Sequence, residues 1–311
     1  MRRHLTLYLL ALSMVLCLGA SALAQDRTFT TIEPPGSNGT NTFAIDINSR
    51  GLIVGAYVGT DGRNHGYLRS KEGEFTTIDF PEAAFTRSAG INDQGDIVGM
   101  YRLATEGPLV RHGYLRNSEG EFTTIDPPGS FRTQALGINA RGDIVGRYCT
   151  VEGCRARPTQ DHGFLLRDGV FTTIDVPGAV STSAWKINSA GQIVGGYEDT
   201  ARKSHVFLLS NDELTTIDFP GAVDTAPDQD NGGINPDGDI VAYYCDDAAC
   251  ANLHGFRWSE GEFTSFDFPG AVQTFAFGVN ARQGIVGGYT DASNNTRGFL
   301  LHREEETNIR K

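Results

Sequence analysis

The sequence predicts an all-β fold, and three observations predict it: one phrase that returns six times, four strand-length apolar runs in each return, and turn residues between them. The phrase reads F-T-T-I-D-x-P-G, then G-I-N-x-x-G-D-I-V-G-x-Y, then H-G-F-L, and it begins at Phe29, Phe75, Phe122, Phe171, Leu214 and Phe263. Its return every 43 to 49 residues marks an array of one supersecondary unit.

In the fourth repeat the runs are Thr182–Asn188, Gln192–Tyr197, His205–Leu209 and Leu214–Asp218, here strands A, B, C and D. Each is too short for a helix and bounded by turn residues. A reaches B through N-x-x-G, as in Asn139-Ala140-Arg141-Gly142, where Asn bonds its own turn and Gly supplies a positive φ. B reaches C through a loop whose Tyr-to-His span varies from 8 to 14 residues. C reaches D through short turns such as Arg167-Asp168-Gly169. These links read as hairpins. The link from D to the next A differs: in Val176-Pro177-Gly178 the proline keeps the preceding residue extended and the glycine turns the chain. That link moves between sheets.

Four-stranded antiparallel sheets in tandem predict a six-bladed β-propeller. The first phrase supplies a D strand, Phe29–Glu33, and the last strand is a C strand, Gly298–His302, so the N-terminal strand is expected to close the ring by completing the sixth blade. An open solenoid would need polar caps at its ends. Strand-interior Gly99, Gly146 and Gly195 predict close backbone approach.

Residues 1–24 read as a signal peptide: Arg2, Arg3 and His4, an apolar run over Leu5–Leu18, and Ala22-Leu23-Ala24 as a small-x-small cleavage site. The expectation is a secreted or periplasmic protein cut near Ala24, with residues 25–311 as one domain. Cleavage would remove Arg2 and Arg3 from 26 basic residues and leave 38 acidic ones, a formal charge of −14. That argues against nucleic acid and anionic membranes as partners. No later segment is apolar enough to insert into a bilayer, and a monomer is expected. Of the remaining cysteines, Cys149 and Cys154, like Cys245 and Cys250, follow the repeat tyrosine and enclose four residues. Local disulfides are the favoured pairing of the three connectivities; a four-thiolate zinc site would need repeats three and five to converge across repeat four.

The pattern G-I-N-x-x-G-x-I-V-G followed by H-G-F-L resembles the HAF-repeat family of extracellular bacterial proteins, with Gly, or Val206 in repeat four, where that family has Ala. The resemblance spans nearly the whole chain after residue 24 and implies a secreted, propeller-like protein. It brings no activity with it.

Tyr57/His65, Tyr101/His112, Tyr148/His162, Tyr197/His205 and Tyr244/His254, each with an Asp ending strand D, invite an acid–base reading. Fivefold repetition favours a structural hydrogen-bond network instead. Glu33 and Arg297 stand where the Asp and the His would fall in repeat six.

Function is expected in departures from the repeat. These are the long loop from Cys149 to Asp161; the loop Cys245–Cys250 with Asp246 and Asp247; and Trp185 and Lys186, which replace a small residue and Gly. If strand A is innermost, Trp185 or Lys186 faces a central channel, where a Trp would suit sugar stacking. Repeat five adds four residues that the spacing assigns to its D–A link, and Asp228 and Asp230 there could hold calcium; no other cofactor is expected. Arg141-Gly142-Asp143 spells an adhesive tripeptide, but two of its residues are repeat consensus. The chain holds no P-loop, His-x-x-x-His pair or G-x-S-x-G elbow, so no catalytic residue is assigned. The reading is a binding or scaffold protein for a glycan, peptide or envelope protein, using the face that carries the B–C loops. The alternative is a hydrolase or lyase with one acidic or metal-dependent site at the channel mouth.

Overall fold

Alternating apolar and polar residues, cut by Asn, Gly and Pro, leave each run one face to bury, and antiparallel hairpins are the shortest way to bury it. The computed structural model describes residues 27–151, 154, 160–227 and 231–303. The expected signal peptide and the candidate calcium ligands Asp228 and Asp230 lie outside these residues.

The described chain is all-β and folds as repeated four-stranded antiparallel sheets. The fourth is Ser181–Ile187, Ile193–Glu198, Ser204–Ser210 and Glu213–Thr216, close to the boundaries read from the sequence. The N-terminal strand Arg27–Ile32 pairs antiparallel with the last strand, Thr296–Arg303, and supplies the D strand of the sixth sheet.

Each sheet also touches the next. Single parallel pairings link strand C of one sheet to strand A of its neighbour at Asn64–Phe85, Arg111–Arg132 and Leu253–Gln273, and Asn41–Thr296 links the first sheet to the last. The Thr182 N–H donates to the Asp161 carbonyl across the third and fourth sheets, at 2.9 Å. The Ser204 N–H reaches the Asp224 carboxylate across the fourth and fifth, at 2.8 Å.

Strand A carries a β-bulge in five sheets, and the bulged residues Ile45, Ala89, Leu136, Trp185 and Phe277 are all buried in one apolar cluster. The glycines of strand B are where backbones crowd. A Cβ on Gly99 would lie 2.1 Å from the Arg87 carbonyl oxygen, and one on Gly146 2.0 Å from that of Gln134. No side chain fits there, as the sequence predicted.

The fifth sheet departs from the expectation. Asp218 and Thr225 are as far apart as Asp175 and Thr182, so its D–A link has the ordinary length. The four extra residues interrupt strand A instead: Asp224–Thr225 pairs with Cys245 and Tyr244, and Gly233–Ile234 resumes pairing at Val241 and Ile240. Gly232, where the strand is about to resume, faces Trp185. A Cβ on Gly232 would lie 2.8 Å from the indole, and one on Gly196, in the Trp185 sheet, 2.3 Å from it. A large ring in strand A of one sheet is thus matched by glycine in the next.

Candidate functional site

Two ends of the molecule differ in chemistry. At the end formed by the A–B turns stand Asn48, Asn92, Asn139, Asn188, Asn235 and Asn280, all buried. Each Oδ1 accepts two amides of its own turn; for Asn139 these are Arg141 and Asp143, at 2.9 and 3.0 Å. Each Nδ2 then donates to the backbone carbonyl of the next asparagine. The distances are 2.9 Å to Asn92, 3.3 Å to Asn139, 3.3 Å to Asn188, 3.1 Å to Asn235, 3.4 Å to Asn280 and, closing the circuit, 3.0 Å from Asn280 back to Asn48. The sequence reading found the turn bonds and missed the circuit. The signal was the choice of Asn at all six positions, since Asp would accept the same turn amides but has no donor for a neighbour.

Just inside this circuit the position after the bulge is Gly90, Gly137, Gly233 and Gly278 in four repeats, Asp46 in the first and Lys186 in the fourth. The glycines sit against the neighbouring backbone; a Cβ on Gly278 would lie 2.9 Å from the Asp46 Cα. Lys186 and Asp46 stand three places apart in this set of six, and the Lys186 Nζ reaches the Asp46 carboxylate at 3.4 Å. The ammonium also donates to the Leu136 carbonyl at 2.8 Å and to the Ala89 carbonyl. Asp46 accepts from the Ile47 and Ile91 amides. Burial pushes Asp46 up and Lys186 down, and each opposes that shift in its partner. The pair lines a cavity of about 100 Å³ walled by all six turns. Lys186 therefore faces the axis as one of the two expected residues, but its donors are consumed. Trp185 is fully buried and offers no stacking surface, because the bulge turns it into the seam between sheets. Neither is available to a ligand, which corrects the expectation for both.

The opposite face carries the B–C loops and the D–A links. In five sheets a histidine at the start of strand C bonds through Nδ1 to the Asp ending strand D: His65 to Asp79 at 2.9 Å, His112 to Asp126 at 2.6 Å, His162 to Asp175 at 3.0 Å, His205 to Asp218 at 2.7 Å and His254 to Asp267 at 3.0 Å. The tyrosine is not hydrogen-bonded to the histidine. Tyr57, Tyr101, Tyr148, Tyr197 and Tyr244 lie beside His65, His112, His162, His205 and His254, with ring centroids 4.7–5.5 Å apart. Their hydroxyls pair instead with strand D, at Thr77, Thr124, Thr173, Thr216 and Ser265. Paired positions on adjacent strands put the rings side by side and send the longer tyrosine past the imidazole, so the tyrosine joins the network through strand D.

The imidazole Nε2 faces the B–C loop, toward Asp61 at 3.2 Å, Glu106 at 2.9 Å, Asp199 at 3.4 Å and Asp246 at 3.8 Å. In the sixth sheet Arg297 takes this place, between Asp291 at 2.6 Å and Glu33 at 3.5 Å. Asp247 caps its own disulfide loop by accepting from Ala249, Ala251 and Asn252, whereas the Asp246 side chain is 60 % exposed. Both local disulfides, Cys149–Cys154 and Cys245–Cys250, are present at this face. The longest loop ends at Asp161, whose buried carboxylate holds Arg132 at 2.7 Å. The D–A links add exposed apolar tips at Val223 and Val272. Asp143 of the adhesive tripeptide is buried on the other face and bonded to Arg167 and Arg141, so the tripeptide is not presented. Among the described residues, no three His, Cys, Asp or Glu side chains gather to hold a metal ion.

The chain matches no family model and no curated protein. Several solved structures share its fold. It is similar to the fungal lectin from Aleuria aurantia, described as a six-bladed β-propeller with a novel fucose recognition mode, at 12% identity over 86% of this chain and 93% of that one, with a TM-score of 0.52. It is similar to AofleA from Arthrobotrys oligospora, at 12% identity over 90% and 88%, TM-score 0.55. A protein of unknown function from Dyadobacter fermentans matches at 9% identity over 90% and 100%, TM-score 0.54.

Proposed function

We propose that the chain is a secreted six-bladed β-propeller, closed by its N-terminal strand and akin to the HAF-repeat proteins, that binds a neutral carbohydrate on its loop-bearing face. The observation that carries this reading is the asymmetry between the two ends. The turn end uses its polar groups on itself, while the loop face sets exposed carboxylates such as Asp246 beside aromatic rings and apolar tips. Carboxylates accept from sugar hydroxyls, and apolar edges cover the sugar's C–H faces. The formal charge of −14 left after cleavage disfavours sialylated or sulfated ligands. The shared fold with a fucose-recognising lectin supports carbohydrate over peptide.

The test is thermal unfolding of residues 25–311 with neutral and sialylated oligosaccharides, followed by a glycan array. A native-state ligand at about 100 times its Kd adds roughly 2.7 kcal/mol, a rise of several degrees in Tm. A neutral sugar should give it, and Asp246→Ala should weaken it without changing the unliganded Tm. A rise with peptides alone, or with no glycan, would sink the proposal.

A further inference from the structure

His65, His112 and His205 each meet a carboxylate on both ring nitrogens, and the loop-side contact is closer at the first two, at 3.2 and 2.9 Å, than the 3.4 Å from His205 to Asp199. The groups facing His65 are Asp79 from strand D on Nδ1, Asp61 from the B–C loop on Nε2, and Tyr57 from strand B on the ring face. Those facing His112 are Asp126 on Nδ1, Glu106 from its loop on Nε2, and Tyr101 on the ring face. An ionised carboxylate only accepts hydrogen bonds, and a neutral imidazole carries only one N–H. Only the imidazolium satisfies both contacts. The loop carboxylates are themselves held as acceptors, Asp61 by the Arg63 N–H at 3.0 Å and Glu106 by the Leu103 N–H at 2.9 Å. The sixth repeat supplies the comparison. Arg297, a permanent cation, bridges loop Asp291 and strand-D Glu33 at the equivalent place.

We infer that the B–C loops of the first two repeats are fastened to their sheets by proton-operated clamps, closed while His65 and His112 are imidazolium and released as they lose a proton to solvent, whereas the sixth loop is clamped permanently by Arg297. Deprotonation leaves a ring lone pair against a carboxylate on one side, and the loop side is the one free to move.

The electrostatics agree in sign. Burial works against charge on both rings, but the hydrogen bonds His65 donates to Asp79 and Asp61, and His112 donates to Asp126 and Glu106, outweigh it and hold both pKa values above the ordinary histidine value. A group raised on folding stabilises fully below its unfolded pKa and loses that stability as pH rises through the folded one. Release therefore falls on the neutral-to-alkaline side. In the sixth loop Asp291 is pushed down to about 2, first by the Asn295 amide and then by Arg297, so it stays ionised across this window.

Hydrogen exchange on the mature protein tests this without any ligand. Amides of loops 58–64 and 102–111 are compared with those of loop 290–296 at pH 5.5 and 8.5, after correction for intrinsic exchange. The first two should lose protection about two- to fivefold, the size expected of partly exposed ion pairs, and the third should not change. Double substitution His65→Arg and His112→Arg should flatten the response of the first two. If that variant does not fold, imidazole nitrogen shifts of the native protein decide: folded pKa values above the ordinary histidine value support the clamp, and values below it overturn it. All three loops responding alike, or none responding, overturns it as well.

Discussion

The turn end and the loop face are built from the same six repeats and obey different rules. At the turn end every repeat spends its asparagine in the same way, because a circuit of hydrogen bonds closes only if every member both gives and receives. Six equivalent bonds leave no room for variation. At the loop face the shared elements are the histidine or arginine at the start of strand C and the carboxylate ending strand D, which fix the root from which the loop departs. Beyond that root the loops differ in length, charge and disulfides without disturbing the ring. Architecture is concentrated at one end, and the freedom to evolve a ligand site at the other.

The comparison is broken most severely at the axis. Lys186→Met leaves Asp46 buried without its cation, and losing one partner of a buried pair costs about 3–5 kcal/mol. Denaturant unfolding of the purified protein should show a loss of that size. Lys186→Gly with Asp46→Gly, which returns all six positions to the glycine found in the other four repeats, should recover most of it. If the double variant is no better than the single one, the pair does more than fill two places in the ring.

The circuit itself comes next. Asn280→Asp keeps the acceptor that binds the Arg282 and Gly284 amides but removes the donor to Asn48. It also sets two acceptors against each other where the last sheet meets the first. A loss of about 1–3 kcal/mol is expected, the range for a buried group left unsatisfied, with little change in the local turn. Unchanged stability would mean that the link from Asn280 to Asn48 contributes nothing to closure.

Much of this was legible in the sequence because the repeat averages out local ambiguity. The strands of repeat four were readable to within two residues, and so were the crowded glycines, both local disulfides and the pairing of the first strand with the last. What escaped was whatever joins one repeat to another. The Nδ2 of Asn139 acts on the third repeat's neighbour, and nothing inside one repeat demands it. Lys186 and Asp46 are 140 positions apart in the chain and meet only because each occupies the same slot of its repeat. The place of the four-residue insertion was misread because its acidic residues look like a surface link, whereas the packing of Trp185 against Gly232 places it inside strand A. The polar residues of the loop face were read as a network joining strands, but the sequence did not say which atoms bond, since spacing cannot tell a ring beside a ring from a hydroxyl bonded to it.

The smallest effect on stability should come from the loop face, and it sharpens the contrast. Each disulfide closes a loop of few residues, with a sequence separation of 5, and a short loop restricts the unfolded chain least. Asp247→Ala removes the cap on three amides of one such loop, all of them near solvent. This substitution should therefore shift unfolding by no more than about 1 kcal/mol, because exposed amides turn to water when their acceptor is lost. The carbohydrate binding we propose should respond differently, since a loop that no longer holds Asp246 in place must be ordered again by each ligand it meets. Calorimetric titration beside denaturant unfolding separates the two quantities. A large stability loss with unchanged affinity would reverse the assignment of ends, making the loops part of the scaffold and moving the search for a ligand to the cleft between Arg167 and Gln192 on the turn side.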